Sequence, residues 1–476
     1  MILVDGVERF TTDGGGIRPL DIDPSEVESV SVLKDAAATA VFGVKGANGV
    51  IMITTKRGKI GKPTLSFESI FSASTISKIP PVLGSYEGNY LKNLAIEHEL
   101  PVDENSWGDF VPQEILGFYR DQTYPELYPD VDWTDEFTND YAFSQKYNMN
   151  VSGGTEFVKY FVSLGYQHEG DILATQDFGQ GYDPDFKYDR YNFRSNLDFD
   201  LTKTTRFSVN LAGYYGQQQR PAGDKWNFWK GLYGRPPDLY PVRYSDGTFA
   251  DYEGFDRFEN SVSRLNFGGL ENENRSEINT DFFLNQDLSF ITEGLSVGVK
   301  VSYDNRFNTL GPDINDDGVL EKYINPDILY AQTAEDSAQN IILKYPGGFV
   351  NQSHGYNFVD VPNSRQAERA QNNIYRALYY EARVNYVRDF GKHGVTLLGL
   401  FNRRESVTGS NFTNFREDWV GRFTYNFDKR YFLEVNGAYN GSEKFGGVTQ
   451  VEEGFATESY RFGFFPSFAG GWTLSN

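Results

Sequence analysis

Every second residue is apolar along much of this sequence. Between residues 191 and 201, one face carries mainly tyrosine, phenylalanine and leucine, and the other carries asparagine, arginine and aspartate. Successive side chains of a strand point to opposite sides of a sheet, so the segment has one apolar and one polar face. A dozen such segments cannot share one water-soluble core. They can form a membrane barrel, apolar toward lipid and polar toward the lumen. We therefore predict a mainly β fold, a transmembrane antiparallel β-barrel.

The amphipathic segments are long as well as numerous. A tilted strand needs about 9–11 residues to cross the hydrocarbon, whereas strands of soluble proteins average about 5–6. All the predicted strands have 11 to 16 residues. Length therefore supports the membrane interpretation as strongly as alternation does. The twelve strands are predicted at 63–75, 141–152, 157–169, 190–201, 206–217, 276–291, 295–307, 374–389, 394–405, 417–427, 431–441 and 459–474.

The connections between these strands alternate in length. Short turns are predicted near residues 153–155, 202–205, 292–294, 391–393 and 428–430. Between them lie long loops at about 76–140, 170–189, 218–275, 308–373, 406–416 and 442–458. Outer-membrane barrels have short periplasmic turns and long extracellular loops. The alternation therefore predicts which end of each strand faces the outside of the cell.

Residues 1–62 follow a different pattern and are predicted to form a small α+β unit. A strand and turn open the chain, Pro24 begins a short turn or helical segment, and a second strand covers residues 30–33. Residues 35–40 read as a small-residue helix, and residues 50–55 as a β-branched strand after an Asn-Gly turn. We place a domain boundary here, with 1–62 as one domain and 63–476 as the barrel part.

Composition excludes several classes of protein. Lys and Arg number 44 against 66 Asp and Glu, a net charge of −22, which argues against nucleic-acid binding. Aromatic residues make up 16% of the chain, as expected of barrels with aromatic girdles, although a Tyr-rich soluble sandwich or propeller stays open on composition alone. There is no cysteine, and the four histidines lie far apart. With no catalytic motif either, we predict that the protein is not an enzyme.

The N-terminal motifs closely resemble the plug domain of TonB-dependent outer-membrane transporters, and more narrowly the SusC (RagA) family of Bacteroidota. The resemblance rests on residues 4–7, 33–43 and 46–58, and on the later segments 151–155 and 465–472. The plug-motif residues are Asp5, Gly6, Lys34, Asp35, Gly43, Gly46, Asn48 and Gly49. The resemblance assigns residues 1–62 to the C-terminal part of the plug, and residues 63–476 to the N-terminal half of the barrel.

The resemblance implies a 22-stranded barrel with a plug inside, of which about 12 strands are present here. It implies TonB-dependent active import of glycan or peptide fragments across the outer membrane of a Gram-negative bacterium. The implied partners are a SusD-like lipoprotein and, for the full-length protein, TonB–ExbB–ExbD. No signal peptide opens the chain, so we expect it to be a piece of a longer protein. Alternatives are a siderophore or cobalamin receptor of the same superfamily, or a surface glycan-binding β protein without transport, which would lack a plug.

Three sets of residues are candidates for binding. The glycines of the plug motif could line a ligand loop, but tight turns inside the plug are the simpler interpretation. An external loop carries oxygen ligands at calcium-loop spacing, although position 12 is Ile324 instead of a carboxylate, and a solvated acidic turn is the alternative. That candidate calcium site, the only cofactor predicted, consists of Asp313, Asn315, Asp317 and Glu321.

Aromatic residues crowd the loop at 218–275. Sugar rings pack on aromatic planes, so these residues are candidates for substrate binding, while packing of the loop itself or contact with the lid protein is the alternative. The candidates are Trp226, Phe228, Trp229, Tyr233 and Tyr240.

Overall fold

The structure is a computed structural model. It describes residues 1–9, 22–34, 46, 48–98, 108–222, 232, 234–250, 260–311, 313–315, 321–322, 374–443 and 461–474. Within these ranges, no helix has both the length and the apolar character needed to cross a bilayer.

The N-terminal unit, called the plug below, is a four-stranded mixed sheet in the order β2-β1-β4-β3. Its strands are β1 (Ile2–Val4), β2 (Val7–Glu8), β3 (Val27–Leu33) and β4 (Val50–Thr55). A short 3₁₀ helix at Pro24–Glu26 leads into β3, and the Asp23 side chain accepts a hydrogen bond from the Ser25 amide at its start. These elements confirm the predicted strands and turn. The predicted helix at 35–40 lies outside the described residues.

The rest of the chain forms one continuous antiparallel sheet of twelve long strands, called the wall below. Strands are paired in sequence order, so each long strand hydrogen-bonds to its neighbour in the chain. Among the described residues, β5 pairs with β6 alone and β19 with β18 alone. The strands are β5 (Gly61–Ser74), β6 (Ala142–Gly154), β7 (Val158–Glu169), β8 (Lys187–Asp200), β9 (Thr205–Pro221), the short β10 (Phe249–Ala250), β11 (Gly269–Asp287), β12 (Leu295–Leu310), the short β13 (Ile314–Asn315) and β14 (Glu321–Lys322), β15 (Ile374–Phe390), β16 (His393–Thr408), β17 (Asn414–Phe427), β18 (Tyr431–Ser442) and β19 (Phe462–Trp472).

All twelve predicted strands are confirmed, and short and long connections alternate between them as expected. Some strands extend further than predicted toward the long loops. For example, the backbone pairing of β9 with β11 continues through polar residues that show no apolar–polar alternation. At the other end, the predicted extension of one strand to residue 291 is wrong. Strand β11 stops at Asp287, whose carboxylate accepts a hydrogen bond from the Ser289 amide at 2.7 Å and so turns the chain.

The two faces of the wall differ as the alternation predicts. On β8, Arg194 and Asn196 are buried against the plug, while Tyr191 is exposed on the opposite face. On β12, Val299 is 49% exposed, and Lys300 beside it reaches the plug. The plug contacts strands from β6 to β17, so the wall curves around it with its polar face inside.

Aromatic residues form two bands on the outer face. Near the long loops, Tyr147, Tyr166, Tyr191 and Tyr215 occupy directly paired positions on four adjacent strands. Near the short turns, Phe199 stacks on Phe207 with ring centroids 6.4 Å apart. Along β8 the bands are eight residues apart, which is about 26 Å at the usual rise per residue. At the usual tilt of barrel strands, this spacing projects to about 20 Å along the membrane normal, comparable with the apolar band of about 25 Å of an outer-membrane barrel.

Within the described residues, two of the long loops carry four helices that the sequence analysis did not predict. They are α1 (Ser85–His98), α2 (Gln113–Asp121), α3 (Trp133–Phe137) and α4 (Ser261–Phe267). Side chains from three different loops build a common apolar core, in which Phe137 and Leu265 are almost fully buried. These three loops therefore pack together above the wall.

Candidate functional site: the contact between plug and wall

The plug begins with a tight hairpin that contacts the wall. Asp5 and Gly6 join β1 to β2 with positive φ angles of 49° and 78°. The Asp5 carboxylate accepts hydrogen bonds from the Thr55 amide at 3.0 Å and the Thr55 hydroxyl at 2.6 Å. From the wall, Lys300 Nζ donates to the Asp5 carbonyl at 3.1 Å. A side chain at Gly6 would also meet that ammonium, with its Cβ only 3.0 Å away.

The end of β4 is bonded to the inner face of β8. Asn196 Nδ2 donates to the Thr55 hydroxyl at 2.9 Å and to the Lys56 carbonyl at 2.8 Å. Two residues after Thr55 and two residues after Asn196, Arg57 and Asp198 form an ion pair at 2.7 Å. Gly58 then passes so close to the wall that an added Cβ would lie 2.3 Å from the Tyr160 amide nitrogen. These contacts therefore fix the path of the backbone between the plug and the first barrel strand.

An acidic residue caps the 3₁₀ helix of the plug, another ends it, and both pair with cations of the wall. Asp23 lies 2.8 Å from Lys146 Nζ on β6. Glu26 lies 2.7 Å from Arg194 Nε on β8. Burial alone would raise the pKa of Asp23, but hydrogen bonds from Lys146 and from Ser25 outweigh it and hold that pKa below its usual value.

On the other side of the plug, the last residue of β2 and the residue after it carry opposite charges. Arg9 Nη2 lies 2.5 Å from Asp281 on β11, and Nη1 pairs with Asp304 on β12. Glu8 lies 3.5 Å from both Arg404 on β16 and Arg416 on β17.

The contact between plug and wall is thus made largely of charged and amide groups. A cavity lies between the two parts, next to strands β8 to β12. Its lining carries both signs of charge and includes Arg9, Glu26, Arg194 and Asp281. Polar groups of this kind hold water, so the contact is one that water can enter when the parts separate.

Five of the plug-motif residues lie in turns inside the plug. Asp5 and Gly6 form the hairpin described above, and Gly49 has a φ of 86° with its amide donating to the Gly46 carbonyl at 2.9 Å. Asn48 lies within this turn, and Lys34 is exposed just after β3. The alternative left open at the sequence level, turns inside the plug, is the one these contacts support. Asp35 and Gly43 lie outside the described residues.

The aromatic candidates are only partly described. Tyr240 is 1% exposed and packs edge-on against Trp133, with ring centroids 5.5 Å apart. Tyr240 therefore packs in the core of the loops in this structure, and its role in cargo binding stays a prediction. Trp226, Phe228, Trp229 and Tyr233 lie outside the described residues, and their role in binding stays a prediction.

The candidate calcium loop is also partly described. The Asp313 carboxylate accepts a hydrogen bond from the Asn272 amide at 2.7 Å, which ties the loop to β11. Asn315 lies in β13 and Glu321 in β14, while Asp317 is outside the described residues. In the described ranges, no group of three or more His, Cys, Asp or Glu side chains is close enough to share a metal ion. Calcium binding stays a prediction.

The charged residues at the plug–wall contact were missed as site residues at the sequence level. Sequence alternation placed Arg194, Asn196 and Asp198 on the lumen face, but it gave no partner for them. Those partners lie more than a hundred residues away in the plug. The signal available in the sequence was complementary charge on the plug and on the polar face of the strands. Pairing these charges, however, required knowing the register of the sheet.

No family model matches the chain. Among characterised proteins, it is similar to TonB-dependent receptor SusC of Bacteroides thetaiotaomicron, with 24% identity over 523 positions covering 100% of this chain and 43% of the relative. It is similar to a TonB-dependent receptor of Formosa agariphila, with 25% identity covering 92% of this chain and 36% of that protein. The chain therefore spans about two-fifths of the length of these relatives.

The fold agrees with a solved structure of the RagAB peptide transporter. The TM-score is 0.63 at 18% identity, and the match covers 98% of this chain and 50% of the other. The likeness to this structure is one of overall fold. Together with the sequence relatives, it supports the resemblance found in the motifs: over its plug strands and twelve barrel strands, the chain is similar to SusC- and RagA-like TonB-dependent receptors.

Proposed function

We propose that the intact protein imports oligomeric nutrients, glycan or peptide fragments, across the outer membrane of a Gram-negative bacterium of the Bacteroidota. Import is driven through TonB–ExbB–ExbD and proceeds by displacement of the plug, without covalent chemistry. A SusD-like lipoprotein closes the outer face. The similarity to SusC and to RagAB supports this proposal.

The observation that carries the proposal is the chemistry of the plug–wall contact. The plug is held by hydrogen bonds and ion pairs such as Arg57–Asp198 and Glu26–Arg194. When such groups separate into a water-filled lumen, water replaces each lost partner, whereas separating an apolar core would expose its area at about 25 cal/mol per Å². A polar contact is therefore suited to a plug that must move and return.

The outer surface supports the proposed location. Apolar side chains such as Leu211, Val299 and Val384 are exposed on the outer face, between the two aromatic bands. Such a surface is unfavourable in water and favourable in a bilayer.

The polar lumen and the aromatic loop residues bear on which chemical class of cargo the protein binds. The inner face carries amides and charges of both signs, which can bind either hydroxyl-rich sugars or peptide backbones. We propose that Trp226, Phe228, Trp229 and Tyr233 contact the cargo from the loop side. Replacing Trp226 and Trp229 together with alanine should weaken uptake and leave membrane insertion unchanged. If uptake by this double variant equals that of the wild type, these residues do not belong to the binding site.

Transport itself is tested with cells that carry or lack the gene. Fluorescently labelled oligosaccharide and peptide pools are offered separately, with and without an uncoupler of the proton gradient. We expect one pool to be taken up only by cells that carry the gene, and only while the gradient is intact. Equal uptake in both strains, or uptake that resists the uncoupler, would contradict the proposal.

A further inference from the structure

Arg9 of the plug is held between two carboxylates that both belong to the wall. Asp281 on β11 lies 2.5 Å from one guanidinium nitrogen, and Asp304 on β12 pairs with another. The three side chains are 7%, 8% and 11% exposed. One guanidinium with two donor edges therefore bonds to two buried acids, whose combined negative charge exceeds its single positive charge.

A third oxygen faces the same place. Ser302 lies directly across from Asp281 in the β11–β12 pair and two residues before Asp304, so it shares their face of the sheet. It is 1% exposed, and its hydroxyl has no hydrogen-bond partner within the described part of the chain. A buried polar oxygen without a partner is uncommon in proteins. The unpaired Ser302 hydroxyl indicates that the wall has more hydrogen-bonding oxygens at this point than Arg9 binds.

While the plug is in place, the nearby cations have hydrogen-bond partners of their own. Lys300, on the same face of β12, donates to the Asp5 carbonyl at 3.1 Å. Arg306, two residues beyond Asp304, donates to Glu277 at 2.8 Å. If Arg9 withdrew, Asp281 and Asp304 would remain close together without the guanidinium that now lies between them. A cavity that Arg9 and Asp281 line adjoins that position.

We propose that Asp281, Asp304 and Ser302 form a cation-binding site in the barrel wall for a guanidinium group, which Arg9 fills while the plug is in place. A free guanidinium compound binds there when Arg9 is absent. If the plug is displaced during transport, as the proposed function holds, the site becomes open to the basic groups of passing cargo. The site itself exists whether or not the protein transports anything.

The test uses the purified intact receptor in detergent micelles and methylguanidinium as the probe. Arg9→Ala should unfold at a lower temperature than the wild type, because two buried carboxylates lose their counter-charge. Millimolar methylguanidinium should raise the unfolding midpoint of Arg9→Ala by about 3 °C, by binding the folded state. The same concentration should not raise the midpoint of the wild type, whose site is filled.

Two control variants separate this site from a general effect of the probe. The triple variant Arg9→Ala, Asp281→Asn, Asp304→Asn lacks the carboxylates and should show no rise. Arg57→Ala removes another plug arginine, which the structure pairs with the single carboxylate Asp198, and should show none either. A matched concentration of sodium chloride controls for ionic strength.

The proposal is overturned if methylguanidinium leaves Arg9→Ala unchanged, or if it stabilises the triple variant to the same extent. Should Arg9→Ala not fold, Arg9→Gln is used, because its amide still donates to one carboxylate while leaving the charge of the pair unbalanced. It must show the same methylguanidinium-dependent rise. Since no step of this test depends on transport, a negative result here leaves the proposed import activity standing, and failed import leaves this site standing.

Discussion

The carboxylate of Glu26 in the plug lies 2.7 Å from Arg194 Nε in the wall, and only 4% and 8% of the two side chains are exposed. Removing one member of such a buried pair leaves an uncompensated charge, at a cost of about 3–5 kcal/mol. We expect Glu26→Ala to make the plug much more sensitive to protease in urea. The double variant Glu26→Gln, Arg194→Gln should recover part of the loss. Unchanged resistance in Glu26→Ala would mean that this pair does not hold the plug.

Asp23 makes the plug contact sensitive to acid. Its pKa is below the usual value, so the folded protein binds this proton less tightly than the unfolded chain does. The resulting stability is fully present above the unfolded pKa, about 3.9, and is lost as the pH falls through the lowered folded value. We expect protease cleavage of the plug to increase as the pH falls below about 4, and Asp23→Asn to flatten that dependence. The same pH curve for Asp23→Asn and the wild type would rule out this assignment.

A charged side chain placed on the outer face of the wall should destabilise the barrel. Leu197 and Val299 lie on the apolar face near the middle of their strands, and an arginine there should cost about 2–4 kcal/mol of barrel stability in a bilayer. Refolding into lipid vesicles and denaturant titration measure the difference. Asn196→Leu is the comparison, because Asn196 faces the plug and its loss affects the plug without hindering insertion. An Asn196→Leu variant that fails to insert, beside a neutral Leu197→Arg, would reverse the assignment of the faces.

Gly58 is required where the chain passes from plug to barrel. A methyl group there would lie 2.3 Å from the Tyr160 amide nitrogen, and backbone atoms cannot move away easily. Gly58→Ala should therefore lower the thermal unfolding midpoint. Gly399→Ala is the matched control, since nothing lies within 4 Å of a Cβ at that position. Equal midpoints for the two variants would show that the close approach is not a constraint.

Much of this fold could be predicted because its physics is local. The alternation of apolar and polar residues located twelve strands and their inner faces, and Asp-Gly and Asn-Gly identified the plug turns. The rest depends on contacts distant in sequence. Nothing near Arg9 indicates Asp281, which is 272 residues away. Tyr240 looked like a binding residue because exposed loop aromatics bind sugars, yet the loops pack on one another and bury it.

The most direct test of plug displacement during import is to link the plug covalently to the wall and measure import. Thr55 and Asn196 are bonded across the contact at 2.9 Å, and the chain contains no cysteine, so cysteines at these two positions can be joined by a short, cleavable dithiol-reactive linker. We predict that the linked receptor inserts normally but imports nothing, and that cleaving the linker restores uptake, while each single-cysteine variant imports throughout. Undiminished uptake by the linked receptor would contradict the claim that nutrients pass when the plug moves.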